Sequence, residues 1–368
     1  MDKELFNKAV ILGVGLMGGS LGMALKNRRL VGEVTGFFRE RAKIEEALHL
    51  GAVDTGTTSL PQALQGADLV IVGTPVGVIP KILEEMKSYL EPGCIVTDLG
   101  STKEEVTARA EEILPPEVFF VGGHPMTGSE EWGVKGANPY LLENAIYVLT
   151  ATPQTDSRAV QALKMMVEEV GSQNLIMDPQ EHDLLVAAVS HLPHLSAVTL
   201  VNTISETGAD LDKALFLAAG GFKDTTRIAM GNPLMWRDIC LSNREMILKC
   251  LKIFKEQIEK MEKHIEYRQE EEIERELEKA RDLRKNIPER VKGLLPGIYD
   301  LVVLVGDVPG VIGKIATIFG NAGINIKDIE ILKSREEGGS IRFSFSTLED
   351  RNRAHKLLDK EKFQVTLR

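Results

Sequence analysis

Cysteine is scarce in this chain. Three residues in 368, Cys94, Cys240 and Cys250, form an odd set with no CxxC pair. That excludes a secreted disulfide scaffold and a zinc ribbon, and makes a reducing compartment, the cytoplasm, the simplest expectation. An excess of basic charge is also lacking. Lys and Arg total 44 against 54 Asp and Glu, a net charge of −10. Nucleic acid and anionic membranes both require a basic footprint, so neither is expected as a partner. No apolar run is expected to reach the roughly 18–20 residues of a membrane-spanning helix, and Met1–Lys8 does not read as a signal peptide. At roughly 100–200 residues per domain, the length implies two or three domains, whose cores need neither disulfides nor metal.

What is present divides the chain in three. Residues 1–178 alternate short apolar runs (9–14, 34–38, 69–72, 95–97, 118–121, then 147–149 and 174–177) with amphipathic stretches (18–26, 40–48, 78–89, 103–113). This alternation predicts βαβ units and a parallel sheet in a Rossmann-type α/β domain. Residues 179–292 read almost entirely as helix, broken at Gly208, Gly220-Gly221 and Gly231-Asn232-Pro233. Leu184, Val186, Val189 and Leu192 supply apolar helical spacing, and the charged run 256–292 reads as a solvated helix laced with i,i+4 pairs. After Pro288, Gly293, Pro296 and Gly297, residues 296–368 read as a βαββαβ ferredoxin-like module.

Gly13-Val14-Gly15-Leu16-Met17-Gly18 follows an apolar strand and opens a helix. Gly13 permits the tight turn, Gly15 lets the backbone approach a pyrophosphate, and Gly18 allows close helix–strand packing, with the helix N-terminus facing the anion. The ribose-reading position, at the end of the second strand, holds Phe38 where Asp is usual, followed by Arg39, Glu40 and Arg41. A missing carboxylate beside a guanidinium favours a 2′-phosphate, whereas Glu40 could still reach a free 2′-hydroxyl. The residues leave NAD and NADP both open. The candidate cofactor contacts are Gly13, Gly15, Leu16, Met17, Gly18, Arg39, Thr74 and Pro75.

Three further segments carry polar chemistry. Asp98-Leu99-Gly100-Ser101-Thr102-Lys103 ends a strand at the sheet edge where open α/β folds bind ligands; Ser101 or Thr102 is equally a helix N-cap. Gly122-Gly123-His124-Pro125-Met126-Thr127-Gly128-Ser129-Glu130 places a histidine between glycines and proline, which reads as a functional loop. Lys223 and Arg227, in Gly220–Arg227, are spaced to share a helix face; they clamp a carboxylate or pair with Asp224 and neighbouring Glu residues. In His191-Leu192-Pro193-His194 there is no third metal ligand in register, so no metal is expected. Pro193 is expected to kink the helix and turn one histidine towards a cavity. His49, His182, His264 and His355 lie in polar helical stretches and read as solvated.

Together GVGLMGGS, DLGSTK, GGHPMTGSE, SHLPH, GGFKDTTRIA and MWRD resemble, in order, the prephenate dehydrogenase family over about residues 9–240. The C-terminal module resembles an ACT domain through Asp307-Val308-Pro309-Gly310-Val311-Ile312 and Asn325-Ile326. The resemblance implies oxidative decarboxylation of prephenate to 4-hydroxyphenylpyruvate, CO2 and NADH, with NAD as the family's usual cofactor although Phe38 departs from its pattern. It implies His124 as proton acceptor, Ser101 orienting it or sharing the hydroxyl hydrogen bond, and Arg227 gripping a carboxylate with support from Lys223. His194, Ser129, Glu130 and Trp236 match further substrate-contacting positions. The helical region is expected to form a homodimer, its helices showing more apolar face than one bundle needs. The ACT resemblance implies L-tyrosine as feedback inhibitor, bound near Asp307, Pro309, Gly310, Val311, Asn325 and Ile326. Arogenate in place of prephenate is the alternative substrate within the family; a non-catalytic, dinucleotide- and amino-acid-responsive regulator is the alternative outside it.

Overall fold

The computed structural model describes residues 4–128, 133–286, 299–306, 308–332 and 339–367. The chain divides into two compact units, Met1–Gly293 and Leu294–Arg368.

The first unit begins β1 (Phe6–Leu12), α1 (Leu16–Asn27), β2 (Val31–Phe37), α2 (Ala42–His49), β3 (Thr55–Thr57), α3 (Leu60–Leu64) and β4 (Leu69–Val72). It continues α4 (Ile79–Met86), β5 (Ile95–Asp98), α5 (Glu104–Ile113), β6 (Phe119–Pro125), β7 (Ile146–Thr150), α6 (Ser157–Glu169) and β8 (Gln173–Met177). The eight strands lie in the order β3-β2-β1-β4-β5-β6-β7-β8. Strand order reverses direction between β1 and β4, the crevice where doubly wound sheets bind ligands. Apolar strands buried on both faces explain the near-continuous runs: Val10, Leu12, Val70 and Val72 pack on one side, Ala9, Ile11, Leu69 and Ile71 on the other.

The sheet departs from the all-parallel expectation at one place, where β6 pairs antiparallel with β7. Among the described residues, the β6–β7 connection carries one short 3-10 turn, Val134–Gly136, in place of a crossover helix, so β7 runs back from the edge where β6 ends. The α6 crossover then restores parallel pairing to β8.

The helical part comprises α7 (Pro179–Val186), α8 (Leu192–Glu206), α9 (Leu211–Leu217), α10 (Gly220–Thr226), α11 (Pro233–Ser242), α12 (Arg244–Glu266) and α13 (Glu270–Lys285). A π-helical turn, Ala187–His191, joins α7 to α8. The continuous run Pro179–Glu206 is long and apolar enough by length and composition to cross a membrane, although polar residues interrupt it. Of these, His182, Asp183, His191 and His194 are buried, whereas Gln180, Glu181, Thr199 and Asn202 are exposed. Val189, expected on the apolar face, is 69% exposed; the buried stripe is instead Pro179, His182, Asp183, Val186 and Ala187. The charged stretch is two helices rather than one. The chain turns at Tyr267–Gln269, with Arg268 at φ 51°, and Lys260 bonds Glu276 at 2.5 Å across the turn. Its ion pairs are mostly i,i+3, such as Arg275–Glu272 and Lys285–Asp282.

The second unit is β9 (Tyr299–Val305), α14 (Val311–Asn321), β10 (Asp328–Leu332), β11 (Gly339–Phe345), α15 (Leu348–Lys360) and β12 (Gln364–Leu367). The antiparallel order β10-β11-β9-β12 is the ferredoxin-like arrangement. Leu301, Val303, Phe343 and Phe345 pack beneath Ile315, Phe319, Ala354 and Leu358. Gly310 takes φ 87° at the N-cap of α14, a left-handed turn that favours glycine. Asn325 and Ile326, expected at the start of a strand, lie in the segment before β10. Asp307 and the expected turn residue Gly338 lie outside the described residues.

Candidate active site

Because β1, β4, β5 and β6 run parallel, their carboxyl ends share one edge of the sheet. Gly13 follows β1 there with φ 100°, and a Cβ on it would lie 2.7 Å from the Gly73 backbone. A Cβ on Gly18 would lie 2.4 Å from the Gly13 oxygen, so α1 packs directly against the turn. At Gly15 a Cβ would meet nothing within 4 Å, which leaves open space over the first turn of α1. The first N–H groups of that helix, at Leu16 and Met17, have no partner within the helix. Beside them Thr74 Oγ1 is buried with no partner among the described residues, and Pro75 follows at the surface. An open cradle of N–H donors with an unsatisfied hydroxyl fits a dinucleotide pyrophosphate.

Phe38 is 6% exposed, with its ring against Gly36 and Gly56 over β2 and β3, so it occupies the ribose-reading position as packing. Arg39 and Glu40 are exposed beside it.

The buried histidines begin on β6, three strands along the sheet from β1. His124 is the sixth residue of β6, not part of a loop. Its flanking glycines serve strand approach: a Cβ on Gly123 would lie 2.5 Å from the Asp98 carbonyl oxygen, and one on Gly122 would overlap Thr150 Oγ1. Behind this strand the wholly buried Lys103 ammonium pairs with Asp98, and Asp98 also accepts from Gly100 N at 2.8 Å and Gly123 N at 3.1 Å. The bond from Gly123 N fixes the end of β5 to the strand that carries His124. Burial lowers the Lys103 pKa, opposed by Asp98.

His124 Nδ1 lies 2.8 Å from His182 Nε2, and His182 Nδ1 lies 2.8 Å from Asp183 Oδ1. Asp183 accepts Lys103 N at 2.7 Å and Glu104 N at 2.9 Å, and so caps α5. That cap replaces the one expected from Ser101 or Thr102; Thr102 Oγ1 instead bonds Ser242 Oγ at 2.9 Å. Ser101 is half-buried in the segment between β5 and α5. His182, expected to be solvated, is 1% exposed. Removal from solvent, reinforced by His182, Lys103 and His191, holds the His124 pKa well below that of an ordinary imidazole.

Both His191 and His194 face inward, where one was expected. Pro193 offers no N–H to the turn before it, and the wide π-turn shifts the buried face by one residue. Asn243 Nδ2 donates to the Asp183 carbonyl at 2.8 Å and lies 3.2 Å from His191 Nδ1. Burial lowers the His191 pKa to about 4. His194 stacks on Trp236 with ring centroids 3.5 Å apart. Its pKa is lowered by burial, against a hydrogen bond with the Ile228 backbone. Lys223 is exposed in α10, and Arg227 is exposed in the 3-10 turn that follows it. Ser129 and Glu130 lie outside the described residues.

Gly13–Gly18, Thr74, His124, His191, His194 and Trp236 thus lie in one unit, and Arg39, Lys223 and Arg227 are exposed on it. Sequence reading missed His182, Asp183 and Asn243 and gave Asp98 and Lys103 no part. The signal for His182 and Asp183 was present: they share the helical face of Pro179, Val186 and Ala187.

A Gly-rich nucleotide cradle, with an imidazole whose pKa burial depresses on the same sheet edge, fits a nucleotide-dependent oxidoreductase. Family comparison identifies which. The nucleotide-binding domain of prephenate dehydrogenase matches residues 21–176, its dimerization domain residues 178–279, and an ACT domain residues 299–362. The chain belongs to the prephenate dehydrogenase family. It is 38% identical to prephenate dehydrogenase from Bacillus subtilis, over 97% of this chain and 96% of that protein. A crystal structure of prephenate dehydrogenase from A. aeolicus, in complex with hydroxyphenyl propionate and NAD+, superposes with TM-score 0.72 at 34% identity, covering 77% of this chain and 98% of that one. Arogenate dehydrogenase from Synechocystis superposes with TM-score 0.69 at 31% identity, covering 76% and 100%.

Proposed function

We propose that this enzyme carries out NAD-dependent oxidative decarboxylation of prephenate to 4-hydroxyphenylpyruvate, with His124 as proton acceptor and L-tyrosine as feedback inhibitor. The observation that carries the reading is the part-buried His124, held by His182, at the sheet edge shared with the nucleotide cradle. Prephenate bears a ring hydroxyl opposite a ring carboxylate. The bound nicotinamide supplies the hydride acceptor. His124 takes the hydroxyl proton as the carbonyl forms, and the conjugated carbonyl then draws in the electrons released by loss of CO2. A depressed pKa keeps His124 unprotonated at neutral pH, as a base requires. Arg227 anchors a substrate carboxylate, its planar guanidinium suited to bidentate binding, and Lys223 adds charge. His194, flat against Trp236, closes the substrate side, and Ser101 shares the hydroxyl hydrogen bond.

NAD is favoured by the A. aeolicus relative, whose structure contains it. The homodimer is supported by the match to a dimerization domain and by apolar side chains such as Phe216 at 90% exposure and Met230 at 79%. The ACT module supports an amino-acid effector, and residues 296–368 form the regulatory domain, following domains at 1–178 and 179–292. Arogenate remains the second reading because of the Synechocystis relative. Initial rates of NADH and NADPH formation with prephenate and arogenate, each with and without L-tyrosine, test all of this. Absence of NADH formation from prephenate overturns it.

A further inference from the structure

We propose that His182 and Asp183 fix the tautomer of His124, placing the His124 proton on Nδ1 and leaving Nε2 as the atom that accepts from substrate. This deepens the reading of His124 as the base and rests on it.

The argument runs outward from Asp183. Its Oδ1 accepts the Lys103 N–H at 2.7 Å and its Oδ2 accepts the Glu104 N–H at 2.9 Å. Backbone N–H groups only donate, so neither carboxylate oxygen has reason to carry a proton, and the site at the start of α5 favours the anion. Oδ1 also lies 2.8 Å from His182 Nδ1. An ionised oxygen only accepts; His182 Nδ1 therefore bears hydrogen. In a neutral imidazole the other nitrogen is then a lone-pair acceptor. His182 Nε2 faces His124 Nδ1 at 2.8 Å. That contact requires a donor, and His124 Nδ1 supplies it.

The proton left to His124 is thus committed to His182, and its Nε2 is free. When Nε2 takes the hydroxyl proton, the imidazolium donates into a chain that ends on an anion. The competing arrangement has His182 doubly protonated and donating from both nitrogens. It would make His124 Nδ1 the acceptor and put hydrogen on Nε2, the wrong form for a base. The 1% exposure of His182, with the Lys103 charge also buried nearby, disfavours a second buried cation. His182 and Asp183 are positioning residues: they act through His124.

Two measurements test this. In the ligand-free protein at neutral pH, long-range 1H–15N spectra of the histidine rings separate the tautomers, with His124 assigned by its loss in His124→Asn. The expected pattern is hydrogen on Nδ1 of both His124 and His182; hydrogen on Nε2 of His124 overturns the proposal. In steady-state kinetics with prephenate, His182→Leu is expected to lower kcat by about 10²–10⁴-fold with KM within about twofold, the upper end being the loss a wrong histidine tautomer produces. His182→Gln, whose amide oxygen can accept where Nε2 did, is expected to recover about tenfold over the leucine variant. Wild-type kcat in His182→Leu, or equal loss in both variants, overturns it. If the wild type oxidises neither prephenate nor arogenate, the functional reading fails and the spectra still decide the tautomer.

Discussion

His194 lies flat on Trp236, ring planes 7° apart, although 42 residues separate them in sequence. Gly231 makes this possible, because a Cβ there would approach Trp236 Nε1 to 2.5 Å and His194 Cε1 to 3.0 Å. Gly231→Val should therefore part the two rings. The expected result is a raised KM for prephenate with cofactor KM unchanged, read from steady-state rates.

His124→Asn should reduce kcat by about 10²–10⁴-fold with modest change in KM. In the wild type, kcat/KM for prephenate should stay level as pH falls past the ordinary imidazole range and drop through one ionisation at more acid pH, because the His124 pKa is depressed in the ligand-free protein. A drop centred at pH 6.5 or above excludes a desolvated His124 as the base.

Arg227 is exposed in the ligand-free chain, and Arg227→Ala should act mainly on prephenate KM, by about 2–5 kcal/mol once bound substrate buries the charge pair. An unchanged KM assigns Arg227 to a structural contact.

Arg39→Ala separates the cofactor readings. If Arg39 meets a 2′-phosphate, NADP should weaken far more than NAD. The wild type is expected to show the larger kcat/KM with NAD, and a tenfold preference for NADP reverses that assignment.

Acid should destabilise the fold. His191 has a folded pKa of about 4, whereas in the unfolded chain its pKa is about 6.5. Between these values the unfolded state binds the extra proton, so stability is full above pH 6.5 and falls as pH drops to about 4. The loss from this residue is about 3 kcal/mol. Urea unfolding midpoints across that range measure it, and His191→Asn should flatten the slope.

Truncation at about Leu294 should leave prephenate oxidation in place and remove most of the inhibition by tyrosine. Full inhibition of the truncated enzyme would put tyrosine in the active site.

The sequence made the strands and the nucleotide turn legible because each declares itself locally, by an apolar run or by glycines at fixed spacing. It also pointed to His124, His194 and Trp236 through resemblance. It left His182 and Asp183 unread because a polar helix start looks solvated until something packs on it. Lys103 was hidden for a related reason: a lysine buried against Asp98 is spelled like any surface lysine. The reversal at β7 was illegible because it depends on the β6–β7 connection, which among the described residues holds no crossover helix, not on β7 itself.

The π-turn at Ala187–His191 makes one long helix count in two registers. Deleting a single residue there would regularise the hydrogen bonding and rotate everything beyond it by about 100°. His182 would stay at its post while His194 swung away from Trp236. The half of the helix that carries His182 and the half that meets the indole are thus indexed separately, and a one-residue change in length can uncouple them without altering either sequence.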